Sequence, residues 1–250
     1  MTLPKYMNIR GYLQTSVNEW PGKIAAVVWV AGCNFRCPFC QNKDLVLNSA
    51  KLPEISEEKI FKDLKERKKW VDVICLTGGE PTLQPDLAIF LKKIKKIGFL
   101  TMVETNGTKL EIIAKLLNGQ MVDRISMDIK GPLDKSYAKI AGKRDFDFTI
   151  ILDSIAVILK SGIDFELRTT VVPTLHTKQN LVELAKQLKK IIKHTSGAIS
   201  HAPIWYLQQF VPQNCLDPSF EKIKPFSKKK MEEILLAVQK YLPAVRLRGI

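Results

Sequence analysis

The sequence has no apolar stretch long enough to cross a lipid bilayer. The longest, IAAVVWVAG at positions 24–32, is far shorter than the roughly 20 residues of a membrane-spanning helix. The opening MTLPKYMNIRGYL also lacks the basic start and long apolar run of a targeting segment. We therefore expect a cytoplasmic protein without a membrane partner.

Cysteine is scarce, and its distribution does not fit a disulfide framework. The chain has 5 cysteines in 250 residues, of which Cys33, Cys37 and Cys40 are clustered while Cys75 and Cys215 stand alone. In a reducing compartment a cluster of this kind is more often metal-binding or catalytic. Cys75 lies inside an apolar segment, so we expect it to be a small buried core residue.

Linkers rich in glycine, proline or serine and low-complexity tracts are missing too. The hydrophobic content of 46% and charged content of 26% are ordinary for a soluble globular protein. We therefore expect one domain over residues 1–250. Its core is expected at about 20–212, with a C-terminal helix and a short strand in 213–250.

Acidic residues are outnumbered by basic ones, which gives a formal net charge of +14. Such an excess is compatible with a nucleic-acid or acidic protein partner. Much of it, however, is lysine spaced around apolar residues, as in LKKIKKIG and AKQLKKIIKH. This pattern favours a solvated outer helix face, and nucleic-acid binding stays open as the alternative.

Apolar, β-branched runs alternate along the chain with segments of helical period. The runs predict strands at 23–31, 71–77, 99–105, 122–129, 163–172 and 204–211, with a short final strand at 244–248. The helical segments are 56–70, 85–98, 109–119, 148–162, 178–194 and 227–242. This alternation predicts an α/β fold with parallel strands, a partial (β/α)6 TIM-like barrel.

In such a sheet the functional site lies at the carboxyl ends of the strands. The cysteine cluster follows the first predicted strand, and TGGEPT follows the second. ETNG, MDIKG and RTTVVP end the next three strands. We therefore expect these five segments to meet at one edge of the sheet.

The C-x3-C-x2-C spacing supplies three metal ligands and leaves a fourth to be found. A structural zinc site is closed by four protein ligands, usually as two separated pairs. Here there is no second pair, and His176, His194 and His201 stand in no ligand-like spacing to the cysteines. The favoured alternative is a [4Fe–4S] cluster held by three thiolates, whose fourth iron is open to a small molecule.

The residues around the cysteines suit a cluster of this kind. Gly32 permits a sharp exit from the preceding strand, and Pro38 stiffens the loop. Phe35 and Phe39 are expected to shield the cluster from water. Phe39 also brings an aromatic edge to where an adenine can lie.

CNFRCPFC resembles the C-x3-C-x-aromatic-C signature of the radical S-adenosylmethionine (SAM) superfamily, and GGEP at 78–81 resembles its second motif. NEWPGKIAAVVWVAGCNFRCPFCQN and the ending VRLRG resemble the activating enzymes of glycyl-radical proteins. These include the activases of pyruvate formate-lyase and, more closely, of anaerobic ribonucleoside-triphosphate reductase. The resemblance covers nearly the whole chain.

The resemblance implies a specific chemistry. Cys33, Cys37 and Cys40 bind three irons, and SAM chelates the fourth through its amino and carboxylate groups. An electron from a flavodoxin- or ferredoxin-type donor then cleaves SAM to methionine and a 5′-deoxyadenosyl radical. The implied hydrogen donor is a glycine of a partner such as anaerobic ribonucleotide reductase.

The resemblance also implies roles for the segments that follow the second and third strands. Gly78 and Gly79 let the backbone approach the methionine part of SAM, while Glu80 pairs with its ammonium group. A plain strand–turn–helix connection is the alternative, which explains the glycines but not the acid. Glu104, with Thr105, is expected near the SAM amino group, where it also helps to hold a monovalent cation.

Asp128 and Lys130 end the fourth strand and share a face, because side chains alternate along a strand. The resemblance implies that Lys130 meets the SAM carboxylate and that Asp128 meets the ribose or the cation. A simple salt bridge between the two is the alternative. Arg168 lies in an activase-like R-x-x-V-V-P run and is expected to contact SAM, and Gln208 or Gln209 completes the set from the last long strand.

Two other functions stay open on the sequence. The first keeps the radical chemistry but acts on a small molecule or RNA. The chain has no accessory cysteine cluster and no recognisable RNA module, which favours a protein or a compact metabolite as substrate. The second is a non-enzymatic zinc and nucleic-acid binder.

Overall fold

A computed structural model describes residues 7–195 and 203–250, and within them the chain forms eight strands and eight α-helices. The strands are β1 (Ile9–Ser16), β2 (Ala25–Val30), β3 (Val73–Gly78), β4 (Leu100–Thr105), β5 (Arg124–Asp128), β6 (Asp164–Val171), β7 (Ile204–Gln209) and β8 (Val245–Arg248). The helices are α1 (Lys43–Leu47), α2 (Glu57–Glu66), α3 (Leu87–Lys96), α4 (Leu110–Asn118), α5 (Ser136–Ala141), α6 (Thr149–Ser161), α7 (Lys178–Thr195) and α8 (Lys228–Gln239).

The eight strands form one sheet in chain order, from β1 to β8. Strands β2 to β4 and β6 to β8 pair in parallel, which confirms the predicted parallel α/β fold. Strand β1 pairs antiparallel with β2 and was missed by the sequence-based prediction. Its residues are mostly half-buried or exposed, so it has no continuous apolar run.

The chain divides into two compact units. The first contains the described residues of Met1–Asn34 together with Asn42–Thr105 and Glu111–Ile125. The second contains Phe35–Gln41, Asn106–Leu110 and the described residues of Ser126–Ile250. Strands β1 to β4 belong to the first unit and β6 to β8 to the second, while β5 has residues in both. The single domain over 1–250 stays a prediction.

In the first unit, alternate residues of β2, β3 and β4 form a buried apolar cluster. Its members are Ala25, Val27, Val73, Cys75 and Met102, with Trp20, Trp29 and Leu100 packed against them. Cys75 is fully buried in this cluster, as predicted for a core residue. The cluster fills one face of the sheet below the carboxyl ends of the strands.

Local sequence signals set the ends of the longer helices. Helix α2 begins after Ser56, whose hydroxyl accepts a hydrogen bond from the Lys59 N–H at 3.3 Å. Helix α6 ends at Gly162, which has a φ of 73° in the left-handed region that favours glycine. The prediction missed α1 and α5, which have 5 and 6 residues and are too short to show a helical period. In the described part of the chain, no helix is long and apolar enough to span a membrane.

Candidate active site

The cysteine loop leaves β2 at Gly32, which packs against the turn after β3. Gly32 has a φ of 85°, a left-handed conformation that favours glycine. Its N–H donates to the Leu45 carbonyl at 2.9 Å, and its carbonyl accepts from the Glu80 N–H at 2.7 Å. A Cβ on Gly79 would collide with the Gly32 carbonyl oxygen, and one on Gly78 would lie 2.6 Å from the Val30 nitrogen. Backbone packing therefore requires both glycines, and their approach to SAM stays a prediction.

Glu80 is a buried carboxylate held by hydroxyl and backbone donors. Its side chain is almost fully buried, and its Oε1 accepts from the Thr82 N–H at 3.0 Å and the Thr82 hydroxyl at 2.6 Å. The Thr105 hydroxyl donates to the same oxygen at 2.7 Å. Because burying a carboxylate without hydrogen bonds is costly, these three bonds stabilise it and fix its orientation.

Glu104 and Thr105 are adjacent on β4, so their side chains point to opposite faces of the sheet. Glu104 lies on the same face as Met102 of the apolar cluster and accepts a hydrogen bond from the Thr77 hydroxyl at 2.7 Å. Thr105 contacts Glu80 instead. The two neighbours therefore support different parts of the first unit, and the predicted cation site at Glu104 stays a prediction.

In the second unit, the cysteine loop packs against the end of helix α5. The Arg36 N–H donates to the Ala141 carbonyl at 2.9 Å, and the Cys37 Sγ lies 3.7 Å from the same oxygen. A Cβ on Gly142 would collide with the Arg36 carbonyl, so only glycine allows this approach. Phe35 is buried beside them. A six-residue helix that the sequence did not reveal thus supports the loop.

The other side of the loop is held by the segment that follows β7. The Asp217 N–H donates to the Pro38 carbonyl at 2.9 Å, and the Asn214 side-chain amide donates to the Gln41 carbonyl at 2.8 Å. Within the loop, the Cys40 N–H donates to the Cys37 carbonyl at 3.0 Å. The contacts made by Asp217 and Asn214 join residues more than 170 positions apart, so no local pattern could have predicted them.

The donor set of the loop fits an iron–sulfur cluster. Of the three cysteines of the motif, Cys37 is buried and Cys33 and Cys40 are half-buried. Thiolates are the ligands that such clusters take from proteins. Phe35 and Phe39 of the loop are buried, and their shielding of a cluster stays a prediction. Within residues 7–195 and 203–250, no group of three or more histidine, cysteine, aspartate or glutamate side chains is placed to hold a single metal ion.

Asp128, Lys130 and Arg168 form a charged group in the second unit. The Lys130 Nζ lies 2.8 Å from Asp128 Oδ2, and the Arg168 Nε lies 3.2 Å from Asp128 Oδ1. The side chains of Lys130 and Arg168 are only 17% and 13% exposed, whereas that of Asp128 is 37% exposed. The predicted shared face is confirmed, and so is the salt bridge, while contact with SAM stays a prediction.

The electrostatics keep Asp128 and Lys130 charged. Burial by itself raises the pKa of Asp128, but the charges of Lys130 and then Arg168 outweigh it and lower that pKa below its usual value. Burial by itself lowers the pKa of Lys130, but the charge of Asp128, followed by that of Cys37, raises it. The Lys130 ammonium therefore stays charged, and Cys37 of the loop is among the groups that favour its charge.

The register of β6 and β7 separates the two glutamines. Gln208 pairs with Thr170, two residues after Arg168, so Gln208 and Arg168 lie on the same face. Gln209 points to the opposite face, where its amide donates to the Phe226 carbonyl at 2.7 Å. Of the two predicted alternatives, Gln208 is the one on the face of the charged group.

The sequence predicts no metal-binding role for the three histidines. His201 lies outside the described residues, and His194 is exposed at the end of α7. His176 is fully buried and bonds to the backbone of Lys130. Sequence reasoning missed this contact, since a single histidine after RTTVVP gives no signal of its partner.

Comparison with known proteins defines the class. Residues 27–191 match the model of the radical SAM superfamily, so the chain belongs to it. A Methanocaldococcus jannaschii protein provisionally named as a glycyl-radical enzyme activating enzyme is 30% identical over 97% of this chain and 96% of its own. A GTP 3′,8-cyclase of Campylobacter jejuni is 31% identical over 64% of this chain and 51% of its own. Streptococcus suis SuiB bound to SAM superposes with a TM-score of 0.65 at 14% identity, over 87% of this chain and 48% of SuiB.

The superfamily determines the cofactors and the kind of protein. Radical SAM proteins use a [4Fe–4S] cluster and SAM, and these are the cofactors of this chain. The chain is therefore a radical SAM enzyme, which confirms the iron–sulfur prediction over the zinc alternative. The chain spans about half the length of SuiB, and that likeness shows the fold alone.

Proposed function

We propose that this enzyme activates a glycyl-radical protein by taking a hydrogen atom from a backbone glycine of that partner. The observation that carries the proposal is the extent of the match to the M. jannaschii protein, which covers 97% of this chain and 96% of that one. The match to the GTP cyclase covers only 51% of that enzyme. Because the two chains correspond over nearly their whole lengths, this chain can contain the same functional segments as its relative.

In this proposal each group of residues has one task. The three cysteines of the loop hold the cluster, Glu80 receives the SAM ammonium, and Lys130 receives the SAM carboxylate. When bound, the cluster and SAM supply the radical that removes the hydrogen atom. The surrounding protein binds and orients SAM, and Phe39 helps to exclude water from the cluster.

The partners follow from the same proposal. The substrate is a protein, and the electron comes from a flavodoxin- or ferredoxin-type donor. The net charge of +14 favours association with acidic proteins through long-range attraction. Such association is expected to weaken as the salt concentration rises.

Anaerobic reconstitution tests the proposal in two stages. Protein supplied with iron, sulfide and reductant should show a [4Fe–4S] absorption spectrum and cleave SAM to 5′-deoxyadenosine and methionine. Adding a glycyl-radical protein from the same genome should then give a glycyl radical in the electron paramagnetic resonance (EPR) spectrum. The control is the partner with its radical glycine changed to alanine, which should give no signal.

The outcome is decisive at each stage. Without SAM cleavage the assignment of the site residues is wrong. If SAM is cleaved but every glycyl-radical protein of the genome stays diamagnetic, the activase proposal is wrong while the radical chemistry stands.

A nucleotide substrate is the second candidate, because GTP 3′,8-cyclases match 64% of this chain at 31% identity. The same reconstituted protein, incubated with GTP and no partner, tests it. Consumption of GTP together with formation of 5′-deoxyadenosine would support a nucleotide substrate. Unchanged GTP in a sample that forms a glycyl radical on a protein would reject it.

A further inference from the structure

His176 lies in the turn after β6 and closes that turn with two hydrogen bonds. Its backbone N–H donates to the Val172 carbonyl at 2.7 Å, and its ring Nδ1 accepts from the Val172 N–H at 3.0 Å. An amide N–H is always a donor, so Nδ1 has no proton. The neutral ring must then carry its proton on Nε2.

That Nε2–H points at the backbone of Lys130. The distance from Nε2 to the Lys130 carbonyl oxygen is 2.8 Å, so the ring donates a hydrogen bond to it. The side chain of His176 is fully buried. One ring therefore links the turn after β6 to Lys130, which lies two residues beyond the end of β5.

Other side chains hold the same short segment. Strand β5 ends at Asp128, and beyond it the Ile129 carbonyl accepts from the Thr169 hydroxyl at 2.7 Å. The Lys130 N–H donates to the Tyr137 hydroxyl oxygen at 3.2 Å. Both backbone groups of Lys130 are thus bonded to side chains, from α5 on one side and from His176 on the other.

The position of the Lys130 ammonium depends on this support. Lysine has a long flexible stem, so its charged end is placed accurately only when its backbone is fixed. A Cβ on Gly131 would lie 3.7 Å from the His176 Nε2 and would collide with Ile140, so the backbone here is closely packed. The ring of His176 bonds to the backbone of Val172 and Lys130, so it acts on the Lys130 ammonium through the backbone.

We propose that His176 is a positioning residue that fixes the Lys130 carbonyl and thereby aims the Lys130 ammonium at the carboxylate of SAM. The inference rests on the proposed role of Lys130 as a SAM contact. It assigns a function to a buried histidine that is neither a proposed ligand of the cluster nor a member of the ion pairs.

Two substitutions separate the two bonds of the ring. His176→Asn keeps an acceptor near the position of Nδ1 and removes the donor to Lys130. His176→Gln places an amide near the position of Nε2 and restores that donor. His194→Asn is the matched control, because His194 is exposed on α7.

SAM affinity, measured by equilibrium dialysis on reconstituted protein without reductant, is the main readout. We expect His176→Asn to raise the Kd by about tenfold, the effect of losing one buried hydrogen bond, and His176→Gln to raise it by less than about threefold. His194→Asn should leave the Kd unchanged. An unchanged Kd in His176→Asn would overturn the inference.

Lys130→Met separates this inference from the proposal on which it rests. If Lys130→Met leaves the Kd unchanged, the proposed SAM contact of Lys130 is wrong. If it weakens binding, then adding His176→Asn should cause no further loss, because the two residues act through one interaction. Independent, additive losses would show that His176 has a structural role only.

Two further measurements keep the test valid if His176→Asn does not fold. Tyr137→Phe removes the other support of the Lys130 backbone and should also weaken SAM binding. Nitrogen-15 NMR of the wild-type protein at pH 7 should show a neutral His176 ring with its proton on Nε2. A proton on Nδ1 would contradict the hydrogen-bond pattern and the inference with it.

Discussion

The two units hold their site carboxylates in different ways. In the first, threonine hydroxyls and a backbone N–H donate to Glu80. In the second, Asp128 lies between the charged ends of Lys130 and Arg168. Hydroxyl donors fix the direction of a carboxylate, whereas two cations also fix its charge. The charge of Asp128 in the second unit therefore depends on Lys130 and Arg168.

The two arrangements also differ in how far apart their partners are in the sequence. Thr82 is 2 positions from Glu80, and Thr105 is 25 positions from it. In the second unit, Arg168 is 40 positions from Asp128, and His176 is 46 from Lys130. Each carboxylate also has a partner only 2 positions away, Thr82 for Glu80 and Lys130 for Asp128, so the fold is needed only for the distant partners.

The largest effect is expected at the cysteine loop. Cys37→Ala removes a thiolate ligand and should abolish the [4Fe–4S] absorption spectrum. SAM cleavage should fall by at least about 100-fold, because losing a ligand costs more than losing a residue that only supports a ligand. Cys75→Ala is the control, since Cys75 is buried in the apolar cluster. It should keep the spectrum. A Cys37→Ala protein with a normal cluster would show that the loop does not hold it.

Asp128→Asn tests the charge-held arrangement of the second unit. It leaves Lys130 and Arg168 as neighbouring cations without the carboxylate, and we expect a loss of about 2 kcal/mol in the free energy of unfolding. The loss is below that of a fully buried pair because the Asp128 side chain is 37% exposed. Urea denaturation measures it. High salt should reduce the loss, and a loss that does not change with salt would argue against a charge effect.

Thr105→Val tests the hydroxyl-held arrangement of the first unit. The change keeps the shape of the side chain and removes one donor to Glu80, so we expect about 1 kcal/mol less stability. Thr105→Ser retains the hydroxyl and is the matched control. In contrast to Asp128→Asn, the loss should not depend on salt. A larger loss than in Asp128→Asn would reverse the comparison between the two units.

The smallest effect is a pH dependence that belongs to the second unit. Burial lowers the pKa of His176 below its ordinary value of 6.5, against the opposing effect of its bonds to Lys130 and Val172. The unfolded chain therefore binds this proton more readily, so the free energy of unfolding should fall as the pH drops below about 6.5. Urea titrations between pH 7.5 and 5 measure it.

His176→Asn should flatten this pH dependence. Asp128 does not interfere, because its lowered pKa places its own loss of stability at more acidic pH. If wild type and His176→Asn lose stability in parallel, the titration belongs to another group.

The sequence predicted the sheet and the longer helices because their signals are local. Strands β2 to β7 lie in segments rich in apolar or β-branched residues, and Ser56 and Gly162 mark helix ends by their own chemistry. Strand β1 and helix α5 were missed because one is half exposed and the other has only six residues. Both are defined by contacts with other parts of the chain, β1 by its pairing with β2 and α5 by its packing against the cysteine loop.

The same limit applies to the candidate site. The cysteine motif, GGEP and the pair Asp128–Lys130 could be identified from the sequence, through their spacing and their resemblance to the superfamily. The supports of these residues, Ala141 under the loop and His176 behind Lys130, come from distant parts of the chain. A spacing rule carries no information about such partners, because the fold alone brings them together.

Isotope transfer from the partner tests the central claim most directly. A glycyl-radical protein of the same genome, produced with α-deuterated glycine, is incubated anaerobically with the reconstituted enzyme, SAM and reductant. Mass spectrometry should then find deuterium in 5′-deoxyadenosine, with a glycyl radical in the partner. 5′-Deoxyadenosine that carries no deuterium, formed at the same rate with or without the partner, would contradict hydrogen abstraction from a glycine.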